Sequence, residues 1–280
     1  MSKKHNGLLW RVLKIWATCL ILAFCVLGVI AVKRVGVPVV TMYREASKDV
    51  AKSSKDTFKA EQTSLVYDAE GNEIKKLKQE KDVSYLDYED IPDAAKLAII
   101  SIEDKNFTTH HGIDVEGVAR AGLSLILNRG NITMGGSTIT QQLIKNNLLG
   151  IQPEKTMMER LERKIKEQSL ALELEKIASK KYILEEYLNA INLGEGTLGV
   201  QTASQKYFNK DVSDLTLSEC AVLAGITKNP TRLDPITHPE SNASRRLLVL
   251  QNMLDQHYIT KSQYREALRD DVYTRIQKNA

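Results

Sequence analysis

A chain of 280 residues with 42% hydrophobic and 26% charged residues holds enough apolar material for one sizeable core, which excludes a disordered or low-complexity protein. Its formal charge of +4 comes from 39 Lys and Arg interleaved with 35 Asp and Glu, so no basic stripe suited to nucleic acid is present. Of the 3 cysteines, Cys19 and Cys25 fall within one apolar run, which leaves Cys220 alone and excludes a disulfide staple from the remainder.

That run is the first element. Residues 15–32 carry no charge and are long enough to cross a bilayer as one helix. Lys3, Lys4, Arg11 and Lys14 precede it, against Lys33 and Arg34 just after, so residues 1–14 are predicted to be a cytoplasmic basic tail and the remainder to lie outside the cytoplasm. A cleavable signal peptide is the rival. The run is longer than a signal core, and Lys33-Arg34-Val35-Gly36 offers no small-x-small cleavage site, so an anchor is expected. A polar stalk follows over residues 33–62. Leu65-Val66-Tyr67 and Ile74 then flank the turn-forming cluster from Asp68 to Asn72, which predicts a small β-hairpin at the start of a domain covering residues 63–270, with 271–280 as a tail.

From Ile91 onward helical signals dominate. Pro92 opens a helix through Ala94 to Ile100, and Asp114 caps one carrying Val118, Leu123, Ile126 and Leu127. Ser137 is read as the cap of a helix holding Ile139, Leu143 and Ile144, and apolar stripes recur over residues 157–176, 181–193, 217–226 and 243–256. An ordered loop is expected between Asn229 and Pro239. The predicted fold class is mainly α.

Glu103 stands where the first of these helices ends, before a loop with Phe107, His110 and Gly112. A carboxylate there can enter a cleft that Phe107 partly dries, which strengthens it as a base; an isolated Glu-Asp pair would more often be a solvated helix end. His110 and His111 lack the companions of a metal site, so His110 is read as a loop anchor and Gly112 as a backbone turn. Gly135-Gly136-Ser137-Thr138 joins free amides to a helix start, which suits either an anion or a plain capped loop. Ser137, Gln141 and Lys145 recur every four positions on one face. Arg160, Arg163, Lys164 and Glu167 share another, either as a surface ion pair or as a cationic face with more charge than one glutamate balances.

Together these residues resemble the family 51 glycosyltransferases, the peptidoglycan-polymerising domain found alone or at the start of class A penicillin-binding proteins. The resemblance rests on Glu103-Asp104 with Phe107, His110 and Gly112; on Gly135 to Gln142 with Lys145-Asn146; on Arg163-Lys164 with Glu167; and on residues 183–189, including Tyr187 and Asn189, with Gly194. A later stretch, residues 217–225, is similar to the family's packing segment.

The resemblance implies a lysozyme-like helical domain with a jaw subdomain near a bacterial cell membrane. The apolar run and its flanking charges add a single-pass anchor with the catalytic domain outside the cytoplasm. By the same resemblance Glu103 is the base for the acceptor sugar's 4-hydroxyl, and Glu167 the second acid, assisting the departing diphosphate directly or through a divalent metal, Mg or Mn. No tightly bound cofactor is implied. Lys145, Arg163 and Lys164 would neutralise the diphosphate, and Arg120, Ser137, Thr138, Gln141 and Gln142 would line donor or acceptor sites. Asp104, Phe107, His110, Gly112, Gly135, Gly136, Asn146, Tyr187 and Asn189 carry structural roles, as does Glu185. The implied partners are lipid II, polyprenyl-diphosphate-linked glycan strands, membrane lipids and cell-wall synthesis proteins.

The segment between Asn146 and Arg163 is longer than the family pattern. No Ser-x-x-Lys or Lys-Thr-Gly follows Leu268, so no transpeptidase domain is expected. Residues 123–127 are read either as dipping into lipid or as core. A lysozyme-like hydrolase and a silent binder of lipid-linked precursor are the rival functions.

Overall fold

The computed structural model describes residues 64–67, 73–77, 82–127, 135–149 and 156–277, with a few isolated positions before residue 50. The expected membrane span at 15–32 and nearly all of the expected stalk lie outside these. Among the described residues no helix is long and apolar enough to cross a membrane.

The fold is mainly helical. Strands β1 (Ser64–Tyr67) and β2 (Glu73–Leu77) form the expected antiparallel hairpin. A second pairing was not legible: β3 (Asp82–Val83) lies parallel to β4 (Thr197–Leu198), and two-residue strands have no periodicity to read. Helices α1 (Asp93–Glu103), α2 (Val115–Leu127), α3 (Ile139–Ile144), α4 (Met157–Ile177) and α5 (Lys180–Ala190) follow the expected order. A π-helical turn, Lys145–Leu149, extends α3. Helix α6 (Val200–Phe208) and helix α9 (Lys261–Arg269) were not anticipated, whereas α7 (Leu217–Ile226) and α8 (Pro239–Asp255) were.

Local chemistry explains the starts. The Thr138 hydroxyl accepts from the Gln141 N–H, so Thr138 caps α3, one residue later than expected. Thr156 with Glu159 and Thr216 with Glu219 form reciprocal capping boxes on α4 and α7, and Ser179 caps α5.

The core has two halves. Helix α7 is buried on every side except at Leu217 and packs against α1 and α8, which also pack against each other, while α3 packs against α4 and α5. Ile99, Leu143, Leu174, Ile183 and Ile226 are fully buried, each contributing about 1.5–3 kcal/mol of apolar transfer. The segment before α1 is tied to α5 by Asn189, whose Oδ1 accepts from the Leu86 N–H at 2.8 Å and whose Nδ2 donates to Leu86 O at 2.9 Å. Glu185 accepts from the Tyr85 hydroxyl at 2.7 Å, so Asn189 and Glu185 both hold that segment to α5.

Core packing does not hold for the whole of residues 123–127: Leu123 and Leu127 are 57% and 71% exposed, on the same helix as Val115 at 76%.

Candidate active site

Helix α1 ends at Glu103, and its carboxylate enters a cleft of about 880 Å³. The same cleft is lined by Gly135, Gly136, Ser137, Gln142, Lys145, Arg163, Lys164, Glu167 and Arg120, so residues far apart in sequence face one space. Its cations are Lys105, Arg120, Lys145, Arg163, Lys164, Lys228 and Arg245, against the carboxylates Glu103, Asp104, Asp114 and Glu167. That surplus of positive charge suits a polyanionic ligand.

Glu103 is held from two sides. Gln142 Nε2 donates to its Oε2 at 2.7 Å, and the Thr227 hydroxyl stands 2.5 Å from its Oε1. The buried Tyr187 hydroxyl donates to Gln142 Oε1 at 3.0 Å, fixing which end of that amide meets the carboxylate. Tyr187 therefore does more than pack.

The neighbouring Asp104 is turned away into the protein, with Oδ2 accepting from the Ile139 N–H at 2.9 Å and lying 2.8 Å from His110 Nε2. The Gly112 N–H donates to His110 Nδ1 at 3.1 Å, so Nε2 is the protonated nitrogen that donates to Asp104. His110 thus anchors the loop. Behind it Lys180 donates to Glu175 at 2.8 Å; burial pulls the Lys180 ammonium below its ordinary value, against the pull of Glu175. Gly112 has φ of 87°, and a Cβ there would come within 2.6 Å of Ala171 O on α4.

At the other end Glu167 is 2% exposed. Arg163 donates to its Oε1, and Lys164 donates to its Oε2 at 2.8 Å and to Ser137 Oγ at 2.7 Å. The ion pair weighed as the bland alternative is therefore present, but half-buried at the cleft rather than on the open surface. Lys145 forms no ion pair among the described residues. As arranged, the two Glu167 oxygens meet Arg163 and Lys164, and among the described residues no group of three or more His, Cys, Asp or Glu could hold a metal by itself.

Several expected positions differ. Thr138 and Gln141 do not line the cleft: both are buried, with Thr138 Oγ1 and Gln141 Nε2 donating to Gly112 O at 2.8 and 3.1 Å. Spacing by four selected Gln141, yet Gln142 faces Glu103 because α3 is short and buried almost all round. Phe107 does not dry the cleft. It is 2% exposed in the core, edge-on to His110, with Lys180 Nζ 4.6 Å from its ring centre. Arg160 is exposed and outside the lining, and Asn146 is exposed beyond it. Arg120 lines the cleft while pairing with Glu116 and, at 3.5 Å, Asp114. Burial raises the Asp114 carboxyl, but the Gly117 N–H, Asn106 and Arg120 together hold it below its ordinary value.

Sequence reasoning missed the wall made by α7 and α8. Thr227, Lys228, Arg245, Asn252 and Gln256 all line the cleft. Of two adjacent arginines, Arg246 is buried, donating to Ser218 Oγ at 3.0 Å, while Arg245 faces the cleft with a buried Nε that has no hydrogen-bond partner among the described residues. Burial lowers the Arg245 guanidinium and Glu103 pulls it back up.

A helical domain whose cleft pairs a carboxylate at a helix end with a cationic face is the class of protein these features define. Residues 70–254 match the family model described as Transglycosylase. Penicillin-binding protein 1A of Aquifex aeolicus is 45% identical over 207 residues, 74% of this chain and 27% of that protein. Penicillin-binding protein 1F of Bacillus subtilis is 45% identical over 198 residues, 71% of this chain and 27% of that protein. Penicillin-binding protein 1A of Neisseria meningitidis is 37% identical over 262 residues, 93% of this chain and 31% of that protein. The chain thus spans less than a third of the length of these relatives. The solved structure of penicillin-binding protein 1A from Haemophilus influenzae aligns over 76% of this chain and 21% of that one, at 23% identity and a TM-score of 0.41. The chain belongs to the transglycosylase family.

Proposed function

We propose that this chain is a peptidoglycan glycosyltransferase that polymerises lipid II, with a lysozyme-like domain and jaw held at the outer face of a bacterial membrane by an N-terminal anchor. The observation that carries this reading is the shared cleft: Glu103 opens into the same space as Lys145, Arg163, Lys164 and Glu167.

The donor is a glycan strand joined through diphosphate to a polyprenyl lipid, and the acceptor a lipid-linked disaccharide. Glu103 takes the proton of the acceptor 4-hydroxyl while that oxygen attacks the donor's anomeric carbon, inverting an α-linkage to β. Charge builds on the leaving diphosphate. Lys145, Arg163 and Lys164 meet it, with Glu167 holding the last two in place. No nucleophilic side chain is needed, and Cys220, buried with its thiol pushed up to about 12 by desolvation, is unsuited to be one. The exposed Val115, Val118, Leu123 and Leu127 of α2 supply the lipid contact. A hydrolase of neutral glycan has no use for the cationic surplus, which disfavours it.

The test is incubation of the full chain with lipid-linked disaccharide pentapeptide, with and without moenomycin, followed by product sizing. Polymer growth blocked by moenomycin is expected; chain shortening, or no product, rejects the proposal.

A further inference from the structure

The two groups that hold Glu103 are of different kinds. Gln142 has its Oε1 engaged by Tyr187, so on Glu103 Oε2 it can only donate. Thr227, at the C-terminal cap of α7 and 124 positions from Glu103 in the chain, has one hydroxyl hydrogen and two lone pairs. Its Oγ1 lies 2.5 Å from Glu103 Oε1 and 2.9 Å from Ala224 O. One hydrogen serves only one of these acceptors at a time.

We propose that Thr227 is a positioning residue that hydrogen-bonds to Glu103 both before and after the carboxyl takes up a proton, with the Ala224 carbonyl receiving the threonine hydrogen in the second state. This rests on Glu103 being the base of the transfer. Before transfer, Gln142 donates to Oε2 and Thr227 to Oε1, so the ionised carboxylate is held at both oxygens. During transfer the acceptor oxygen gives its proton to Oε1 and an electron pair to the anomeric carbon. The bond from that carbon to the diphosphate oxygen breaks, its pair leaving with the diphosphate. The Thr227 hydrogen then turns to Ala224 O, and a Thr227 lone pair accepts the new carboxyl O–H. Oε2 stays an acceptor for Gln142 throughout, which makes Oε1 the oxygen that carries the proton. An amide N–H in place of Thr227 would oppose the protonated state, and an apolar side chain would support neither.

The experiment compares Thr227→Val, which keeps the branched shape and removes the hydroxyl, with Thr227→Ser, which keeps the hydroxyl. The full chain in detergent is assayed on lipid-linked disaccharide pentapeptide. Thr227→Val is expected to lower kcat about tenfold, the scale of one lost hydrogen bond, at unchanged KM and unchanged thermal midpoint. Thr227→Ser is expected to keep most of the wild-type rate. A second readout needs no turnover: the infrared carboxylate band of Glu103, identified by its loss in Glu103→Gln, should move in the valine variant and stay in the serine variant.

If valine disturbs folding, Thr227→Ala repeats the comparison without added bulk. Wild-type kcat and an unmoved band in the valine variant would overturn the inference, as would equal losses for serine and valine. A band that moves only with valine, in a protein that makes no polymer, overturns the glycosyltransferase reading and the proton role with it, while the hydrogen bond stands.

Discussion

The Tyr187 hydroxyl donates to Gln142 Oε1 at 3.0 Å, and Gln142 Nε2 donates to Glu103 Oε2 at 2.7 Å, so a core tyrosine on α5 orients a carboxylate at the end of α1 through one amide. Burial raises the Tyr187 phenol well above its ordinary value, so it stays a donor across the working pH range. Tyr187→Phe should cost about 0.5–1.5 kcal/mol, because it removes a hydrogen bond to a half-buried amide, and should lower kcat as the amide gains freedom to turn. Denaturant unfolding and steady-state polymerisation check both halves; full activity would show that the amide needs no such lock.

Glu103→Gln keeps the shape of the side chain and removes the proposed base. Polymerisation should fall by about 10²–10⁴-fold with the unfolding midpoint nearly unchanged. Near-normal turnover in a purified assay would reject the assignment.

Lys145→Ala should lower kcat/KM for the lipid-diphosphate donor by about 1.5–3 kcal/mol, the range of a hydrogen bond to a charged group. Lys145→Arg should retain a larger share of activity, since it keeps the charge and changes only its geometry. Equal losses for both would point to packing at this position.

Gly112→Ala should destabilise the fold by at least about 1–3 kcal/mol, because an L residue is strained at φ of 87° and its Cβ would meet Ala171 O at 2.6 Å. Activity should fall with it, as the loop carries His110 and thereby the Asp104 contact. Chemical denaturation of the purified variant measures the loss, and wild-type stability would contradict the geometry.

Glu219 gives the fold an acid-sensitive joint. Burial raises its carboxyl, but the Thr216 N–H, Lys210 and Arg275 together hold it below the usual 4.5. A carboxyl depressed in the folded state adds stability above its unfolded value, and that stability drains away as pH falls toward the folded value. Unfolding free energy measured from neutral pH into the acid range should therefore drop more steeply in the wild type than in Glu219→Gln. Identical slopes would show that these partners do not act on the carboxylate.

Much of this molecule could be read from its residues. The apolar stripes located α1, α4, α7 and most of α8, and Glu103 does close α1 at a cleft, because helical periodicity and end signals are local properties of the chain. The pairing of Arg163 with Glu167 was equally visible as an i, i+4 spacing. Where the reading went astray, the deciding contact came from elsewhere in the chain. Thr138 and Gln141 matched an anion-binding pattern, but Gly112 O claims both. Phe107 stood beside Glu103 in sequence, yet the core drew it away.

The chain by itself determined most of the helices and their order, the family and the residue types available for chemistry. Only the tertiary structure decided which of them share the cleft. It chose Gln142 over Gln141, turned Arg245 to the cleft and its neighbour Arg246 to Ser218, and brought Thr227 to Glu103 across 124 positions. The reason is physical: a helix face is set by neighbours three and four residues away, whereas a hydrogen bond to the Glu103 carboxylate depends on how whole helices pack around the buried α7.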